Sequence, residues 1–125
     1  AAAVNELGGC YLTGRGVKKD EKKALELYKQ AAEMESPSAL YNVGVCYAYG
    51  YGAEADEAAA FQWFQKAAEA GSPSGMFAAG AWYAVGKGVE ADEEQARAWL
   101  EKYAESGNSI WSEQAQAILE ELEAE

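Results

Sequence analysis

The sequence predicts an all-α fold in which three 36-residue helix-turn-helix repeats stack and a C-terminal capping helix closes the stack. Three observations lead there. Glycines recur at intervals of 36, as Gly8, Gly44 and Gly80, as Gly14, Gly50 and Gly86, and as Gly16, Gly52 and Gly88, and a period of this length marks a repeat architecture. Residues 3–38 match residues 39–74 at 15 of 36 positions, and residues 39–74 match 75–110 at another 15, where chance would give about two. Within each unit the apolar residues follow a period near 3.6 rather than the alternation of a strand.

The first helix of each unit is expected over residues 3–13, 39–49 and 75–85. Each carries a central glycine, Gly8, Gly44 or Gly80. Glycine in a helix interior costs about 1 kcal/mol against alanine, so close approach of a neighbouring helix has to offset it. The expected neighbour is the end of the second helix, at Ala31/Ala32, Ala67/Ala68 and Tyr103/Ala104. The pairs Gly14-x-Gly16, Gly50-x-Gly52 and Gly86-x-Gly88 then end the first helices and reverse the chain through positive φ.

The second helices place Ala24, Leu27, Tyr28, Ala31 and Ala32 on one face, with Ala60, Trp63, Phe64, Ala67, Ala68 and Ala96, Trp99, Leu100, Tyr103, Ala104 as counterparts. Asp20, Asp56 and Asp92 precede these helices as N-caps, and Gln95 completes a capping-box spacing after Asp92. Gly71 and Gly107 stop the second and third of them. Glu35 stands at that position in the first, whose end is expected to fray.

After residue 110, Trp111, Ala115, Ile118, Leu119 and Leu122 keep a helical period, but Gln116 replaces the central glycine and no glycine pair follows. A helix over residues 111–123 with one apolar face is the pattern of a terminal cap. At the other end Ala3, Val4 and Leu7 open directly into a first helix. That uncapped end, and the absence of an initiator Met, are consistent with a piece of a longer protein or with a homodimer formed through the N-terminal end. Residues 1–125 read as one domain.

Ten basic residues against 21 acidic give a net charge of −11, which is unfavourable for phosphate backbones and anionic lipid. Neither nucleic acid nor a membrane is an expected partner. No apolar run approaches the roughly 18–20 residues of a membrane span, and Ala1-Ala2-Ala3-Val4 lacks the basic flank and apolar core of a signal peptide; the compartment stays unassigned. Cys10 and Cys46 occupy equivalent positions one repeat apart. Helices pack at about 8–10 Å or more, whereas a disulfide needs Cα atoms within about 7 Å, so both are read as buried, reduced thiols.

The chain has no His, which removes Ser-His and Cys-His nucleophile activation and the commonest metal ligand. The glycine pairs follow helices, not strands, and lack the rest of a phosphate loop. Asp20-Glu21, Asp56-Glu57 and Asp92-Glu93-Glu94 lack the alternating spacing of an EF-hand and suit helix N-termini through the dipole. No catalytic residue, cofactor or metal is therefore expected. A hydrolase using two of the 21 acids, and a purely architectural or dimerisation module, are the competing readings; a deep pocket with two carboxylates would favour the first.

The pattern Ala39, Gly44, Tyr47, Gly50, Gly52, Asp56, Ala60, Ala67, Ala68, Gly71, repeated with substitutions on either side, resembles the Sel-one-like repeat, a relative of the tetratricopeptide repeat. The resemblance covers residues 3–110 and implies a right-handed α-α superhelix whose first helices line a concave face and whose second helices form the convex back, as in adaptor and scaffold proteins. Cysteine-rich secreted members of that family pair two cysteines within each repeat; this chain has at most one per repeat. The implied function is a scaffold that binds a protein or peptide on the concave face.

Residues common to all repeats, such as Tyr11, Tyr47 and Tyr83, are assigned to the core. Partner contacts are expected where the first helices vary, and the analogy with the tetratricopeptide groove selects Asn5 and Leu12, then Tyr41, Val45 and Tyr49, then Phe77 and Val85. Tyr41 and Tyr49 are expected to be the most exposed of these.

Overall fold

The computed structural model describes residues 2–124, which form seven helices: α1 (Ala2–Thr13), α2 (Glu21–Glu33), α3 (Pro37–Tyr49), α4 (Glu57–Glu69), α5 (Pro73–Val85), α6 (Glu93–Glu105) and α7 (Ser112–Ala124). They stack in chain order as three antiparallel pairs, each pair packing on the next, with α7 against α5 and α6. The result is an α-solenoid with odd-numbered helices on one side and even-numbered helices on the other.

The caps repeat as closely as the glycines do. Asp20, Asp56 and Asp92 lie in extended backbone, and each carboxylate accepts from the N–H three residues on, at 3.1 Å in all three cases. The N–H of each Asp donates to the carbonyl of Tyr11, Tyr47 or Tyr83 at 2.8–3.0 Å. The reciprocal half of the capping box expected from Gln95 is thus taken by the backbone, and the same bond ties every second helix to the end of the first.

Helices α3 and α5 begin two residues before the expected start. Proline fits a first turn because the N–H it lacks has no helical partner there, and Ser36 and Ser72 cap it by accepting from Ala39 at 3.3 Å and Gly75 at 3.1 Å. Ser72 is 5% exposed, so Ser72→Ala leaves a buried donor unpaired. Its loss should cost about 1–2 kcal/mol, and Ser36→Ala less, as read from urea midpoints of the two variants.

Glu35 takes φ 60, where Gly71 and Gly107 take φ 100 and 80. Helix α2 nevertheless ends in register with α4. The closing bond there is longer, Ser36 N to Ala31 O at 3.4 Å against 2.9 Å for Ser72 N to Ala67 O.

The central glycines do permit close approach, but to a different part of the partner helix. A Cβ at Gly8, Gly44 or Gly80 would lie 2.8, 2.6 or 2.8 Å from the side chain of Tyr28, Phe64 or Leu100, and 3.2–3.4 Å from the carbonyl of Ala24, Ala60 or Ala96. Antiparallel pairing sets middle against middle, so the ends Ala31/Ala32, Ala67/Ala68 and Tyr103/Ala104 cannot be the contact. Those ends face the next repeat: a Cβ on Gly75 would fall 2.6 Å from the Ala68 nitrogen, which explains why repeat three has glycine where the others have alanine.

The core consists of these interlocking faces, with three departures from the expected residues. Leu25 and Phe61 are buried at 6% and 4% because they pack under the glycine pair of the following repeat. Trp63 and Trp99 are only half-buried, with Lys66 and Lys102 ammonium groups 4.5 and 5.4 Å from their ring centroids. Ala104 is exposed, since α7 does not seat against α6 as α3 and α5 seat against α2 and α4.

The reason for that last departure lies in two side chains. Tyr103 stands where Ala31 and Ala67 stand, is fully buried, and fills the space a following first helix would enter. Its hydroxyl donates to Asn108 Oδ1 at 2.8 Å and accepts from the Trp111 N–H at 2.8 Å. Trp111 itself occupies the position of Ala39 and Gly75, where no ring fits, so α7 begins late, at Ser112. Ala115 and Leu122 are buried beneath it, with Ile118 and Leu119 half-buried, as a cap requires.

Both cysteines are free. Cys46 is 0% exposed, whereas Cys10 is only half-buried, which corrects the expectation of two buried thiols: Cys46 is covered by α2 of the preceding repeat, and no described helix takes that place over Cys10.

Candidate functional site

On the first-helix side the stack encloses a groove of about 300 Å³ whose walls include Tyr41, Val45, Tyr49, Phe77, Trp82 and Trp111. Its floor is Phe64, 4% exposed and able to sit high because Gly44 opposite has no side chain. Tyr41 lies 5.4 Å from the Phe64 ring centroid, and Trp82 meets the same ring edge-on at 5.0 Å. Phe77 stacks on Trp111 at 5.3 Å with planes 7° apart, and Trp111 is 6.5 Å from Tyr41. Repeat-equivalent positions 41 and 77 therefore meet through a ring supplied by the segment before α7.

Four of the seven residues selected from sequence share this groove: Tyr41, Val45, Tyr49 and Phe77. Tyr49 is 70% exposed at its mouth, stacked on Tyr51 at 5.7 Å. Tyr41 is half-buried, contrary to the expectation that it is freely exposed. Burial foremost, and then Tyr49, push its hydroxyl pKa upward, so it remains a neutral donor around neutral pH.

The other three lie elsewhere. Val85 is 74% exposed and borders a separate cavity of about 120 Å³ with Ile118 and Leu122 of α7. Leu12 packs on the core of the first two repeats. Asn5 is engaged between first helices, its Oδ1 accepting from Asn42 Nδ2 at 3.0 Å. These three positions lie outside the groove, which is lined by residues of the second and third repeats together with Trp111.

Trp111 packs with Ala115, Ile118 and Leu119 on the apolar face expected of the capping helix, and it also lines the groove, a place the sequence reading did not give it. The signal was its position 36 and 72 residues after Gly75 and Ala39, sites with no room for a ring. Lys87 also borders the groove, with Nζ 4.8 Å from the Trp82 centroid and 3.9 Å from Glu57 Oε2.

A broader depression of about 740 Å³ lies at the glycine turns, between Lys19–Lys22 and Gly50–Glu54. It contains the carboxylates of Asp20, Glu21 and Glu54, but it is open to solvent and Asp20 is committed to its cap. Among the described residues no three Cys, Asp or Glu side chains cluster as metal ligands, and no helix is long and apolar enough to cross a membrane.

Helix pairs repeating every 36 residues around shared glycine contacts define an all-α repeat solenoid. The chain belongs to the Sel1 repeat family, whose model matches residues 1–36, 37–72 and 73–108 and whose members are generally protein-interaction scaffolds. It is similar to a protective antigen of uropathogenic Escherichia coli displaying an SLR fold, c5321, at 42% identity and a TM-score of 0.83 over 89% of this chain and 24% of that one. It is similar to a Sel1 repeat protein of Oxalobacter formigenes at 38% identity and 0.86, over 94% of this chain and 46% of that one. It also resembles cysteine rich protein B of Helicobacter pylori at 28% identity and 0.76, over 93% and 84%. The chain thus spans under half of the first two. No curated protein sequence matches it significantly.

Proposed function

We propose that the chain is a non-catalytic scaffold that holds a protein or peptide partner in the groove of its first helices. The observation that carries this reading is the gathering of Tyr41, Val45, Tyr49, Phe77 and Trp111 around one cavity by positions that differ between repeats, while residues the repeats share form the core. Its volume, near the lower limit of ligand pockets, suits one or two bulky apolar side chains of a segment lying across the helices. Aromatic walls supply much of the affinity at such contacts, and exposed charges little.

Tyr49→Ala is the cleanest test, because a side chain 70% exposed contributes little to folding. It should weaken binding to the native partner by at least about tenfold with the unfolding midpoint unmoved. Tyr41→Ala should weaken binding as much and lower the midpoint too, since its ring packs on Phe64. Glu26→Ala and Glu101→Ala, exposed on the even-numbered helices, should leave affinity within about twofold. Isothermal titration in which the glutamate changes abolish binding and the tyrosine changes do not would reject the groove.

A further inference from the structure

The chain carries 21 acidic residues, yet α3 and α5 hold no charged residue of either sign and α1 holds only Glu6. The acids crowd the turns, the even-numbered helices and α7. Among the described residues no carboxylate lines the aromatic groove, and Lys87 is its one charged group. The other polar side-chain groups of the walls are the phenols of Tyr41 and Tyr49 and the indole N–H groups of Trp82 and Trp111. Ammonium and indole groups only donate hydrogen bonds, and a neutral phenol donates as well as accepts. Among the described residues no side-chain hydrogen bond engages any of the five, and none of them is buried without a partner. The groove is therefore rich in uncommitted donors and poor in acceptors.

A cation fits it badly in spite of the rings. Aromatic faces attract ammonium groups within about 6 Å, but the Lys87 ammonium already stands 4.8 Å from the Trp82 centroid, so a basic side chain entering the groove would meet a like charge. Lys87 is in turn loosely held from the other side: Glu57 Oε2 is 3.9 Å away, and the two side chains are 47% and 58% exposed. A pair of that kind contributes little and exchanges partners readily. An incoming anion can replace Glu57 while the Lys87 stem stays over the Trp82 ring.

Resting on the reading of the groove as a peptide site, we propose that its partner segment pairs a bulky apolar side chain, seated over Phe64 against the rings of Tyr41, Trp82 and Trp111, with a neighbouring Asp or Glu whose carboxylate takes Lys87. The net charge of −11 repels an acidic segment at long range, but that field is screened beyond about 8 Å at physiological salt, whereas the carboxylate meets Lys87 at hydrogen-bond distance. A basic segment gains from the field and loses at contact. The rings supply most of the affinity. The carboxylate adds about as much as a partly exposed ion pair and sets the preference among segments.

The blocked peptide acetyl-Gly-Leu-Phe-Glu-Gly-amide and its Gln and Lys analogues, which have no terminal carboxylate, provide the test. Each is titrated into isotope-labelled protein at about 0.15 M salt while the indole N–H signals are followed by NMR. The signals of Trp82 and Trp111 should move, and those of Trp63 and Trp99, on α4 and α6, should stay still. The Glu peptide should bind about three- to fivefold tighter than the Gln peptide, and the Lys peptide more weakly than either. Lys87→Met, which keeps an unbranched stem for Trp82, should abolish the difference between the Glu and Gln peptides while leaving the Gln affinity within about twofold. Glu57→Gln, which removes the competing carboxylate, should enlarge that difference. Equal affinities, a preference for the Lys peptide, or a Glu preference that survives Lys87→Met overturns the proposal and leaves the scaffold reading to the Tyr49→Ala titration. Shifts confined to Trp63 and Trp99, or none with any peptide, overturn it as well. Phenylacetate saturating the Trp82 and Trp111 shifts at a lower concentration than the Glu peptide assigns the groove to a free aromatic acid and also overturns it.

Discussion

Leucine in place of Gly44 is expected to lower the stability of the fold by about 3 kcal/mol, the upper part of the usual range for overpacking. The first added carbon alone would lie 2.6 Å from two Phe64 ring atoms and 3.2 Å from the Ala60 carbonyl oxygen. Phe64 cannot retreat, because it is 4% exposed and held between the rings of Tyr41 and Trp82. Removing a mid-helix glycine returns about 1 kcal/mol of helix propensity, too little to offset the clash. Gly9→Ala separates the two effects. Its Cβ would meet nothing closer than the Tyr28 hydroxyl at 3.5 Å, so the propensity gain should appear as stabilisation of up to about 1 kcal/mol. Equal urea midpoints for the two variants would reject the close-packing account.

The two cysteines should react with a thiol reagent at rates differing by a hundredfold or more. Thiol titration after unfolding without reductant should find both free. In the folded protein Cys10 is only half-buried, while Cys46 is 0% exposed and burial, with Glu21 adding and Lys29 opposing, pushes its thiol from 9.0 up to about 11. Near pH 8 that shift alone leaves about a hundredfold less of the reactive thiolate than an ordinary cysteine would have.

The same shift makes stability depend on pH. Between 9 and about 11 the unfolded chain has lost the Cys46 proton and the folded chain retains it, so the native state binds more protons and stability falls as pH rises. The contribution is fully present below pH 9, is lost through about pH 11, and amounts to no more than about 2–3 kcal/mol. Cys46→Ala should flatten this decline in urea midpoints between pH 8.5 and 10.5. Tyr28, also raised by burial, leaves a residual slope above pH 10. Comparable labelling of both cysteines in the native state would contradict the packing of α3 on α2.

The repeat, the helix pairing and the Asp caps were legible in the sequence because each depends on local rules applied three times: a 3.6 period, a capping oxygen, a glycine that reverses the chain. The partners of those helices were less so. Gly8, Gly44 and Gly80 announced a close contact, yet whether it fell at the middle or the end of the facing helix depends on how far the pair slides, which no single-helix pattern encodes. Leu25 and Phe61 were missed for a related reason, since they lie off the stripe that faces their own repeat and are buried by the next one.

The groove was half legible. Variation between Asn5, Tyr41 and Phe77 pointed to the row of positions from which Tyr41 and Phe77 reach the groove, but exposure along that row is set by neighbours distant in the chain. Trp111 covers Phe77 and crowds Tyr41, and Asn42 engages Asn5. The place of Trp111 in the groove was not foreseen, because its helical period with Ala115 points only to the capping face, while the steric bar to a ring at that register appears only once the helices are stacked.

Tyr103 carries a consequence for how such an array lengthens. Where Ala31 and Ala67 leave room for the next unit to continue the pitch, the Tyr103 ring and its two hydrogen bonds occupy it, and α7 begins three residues later in the repeat than α3 and α5. The change of pitch is thereby written in one side chain, a phenol standing where the two preceding units have only a methyl group.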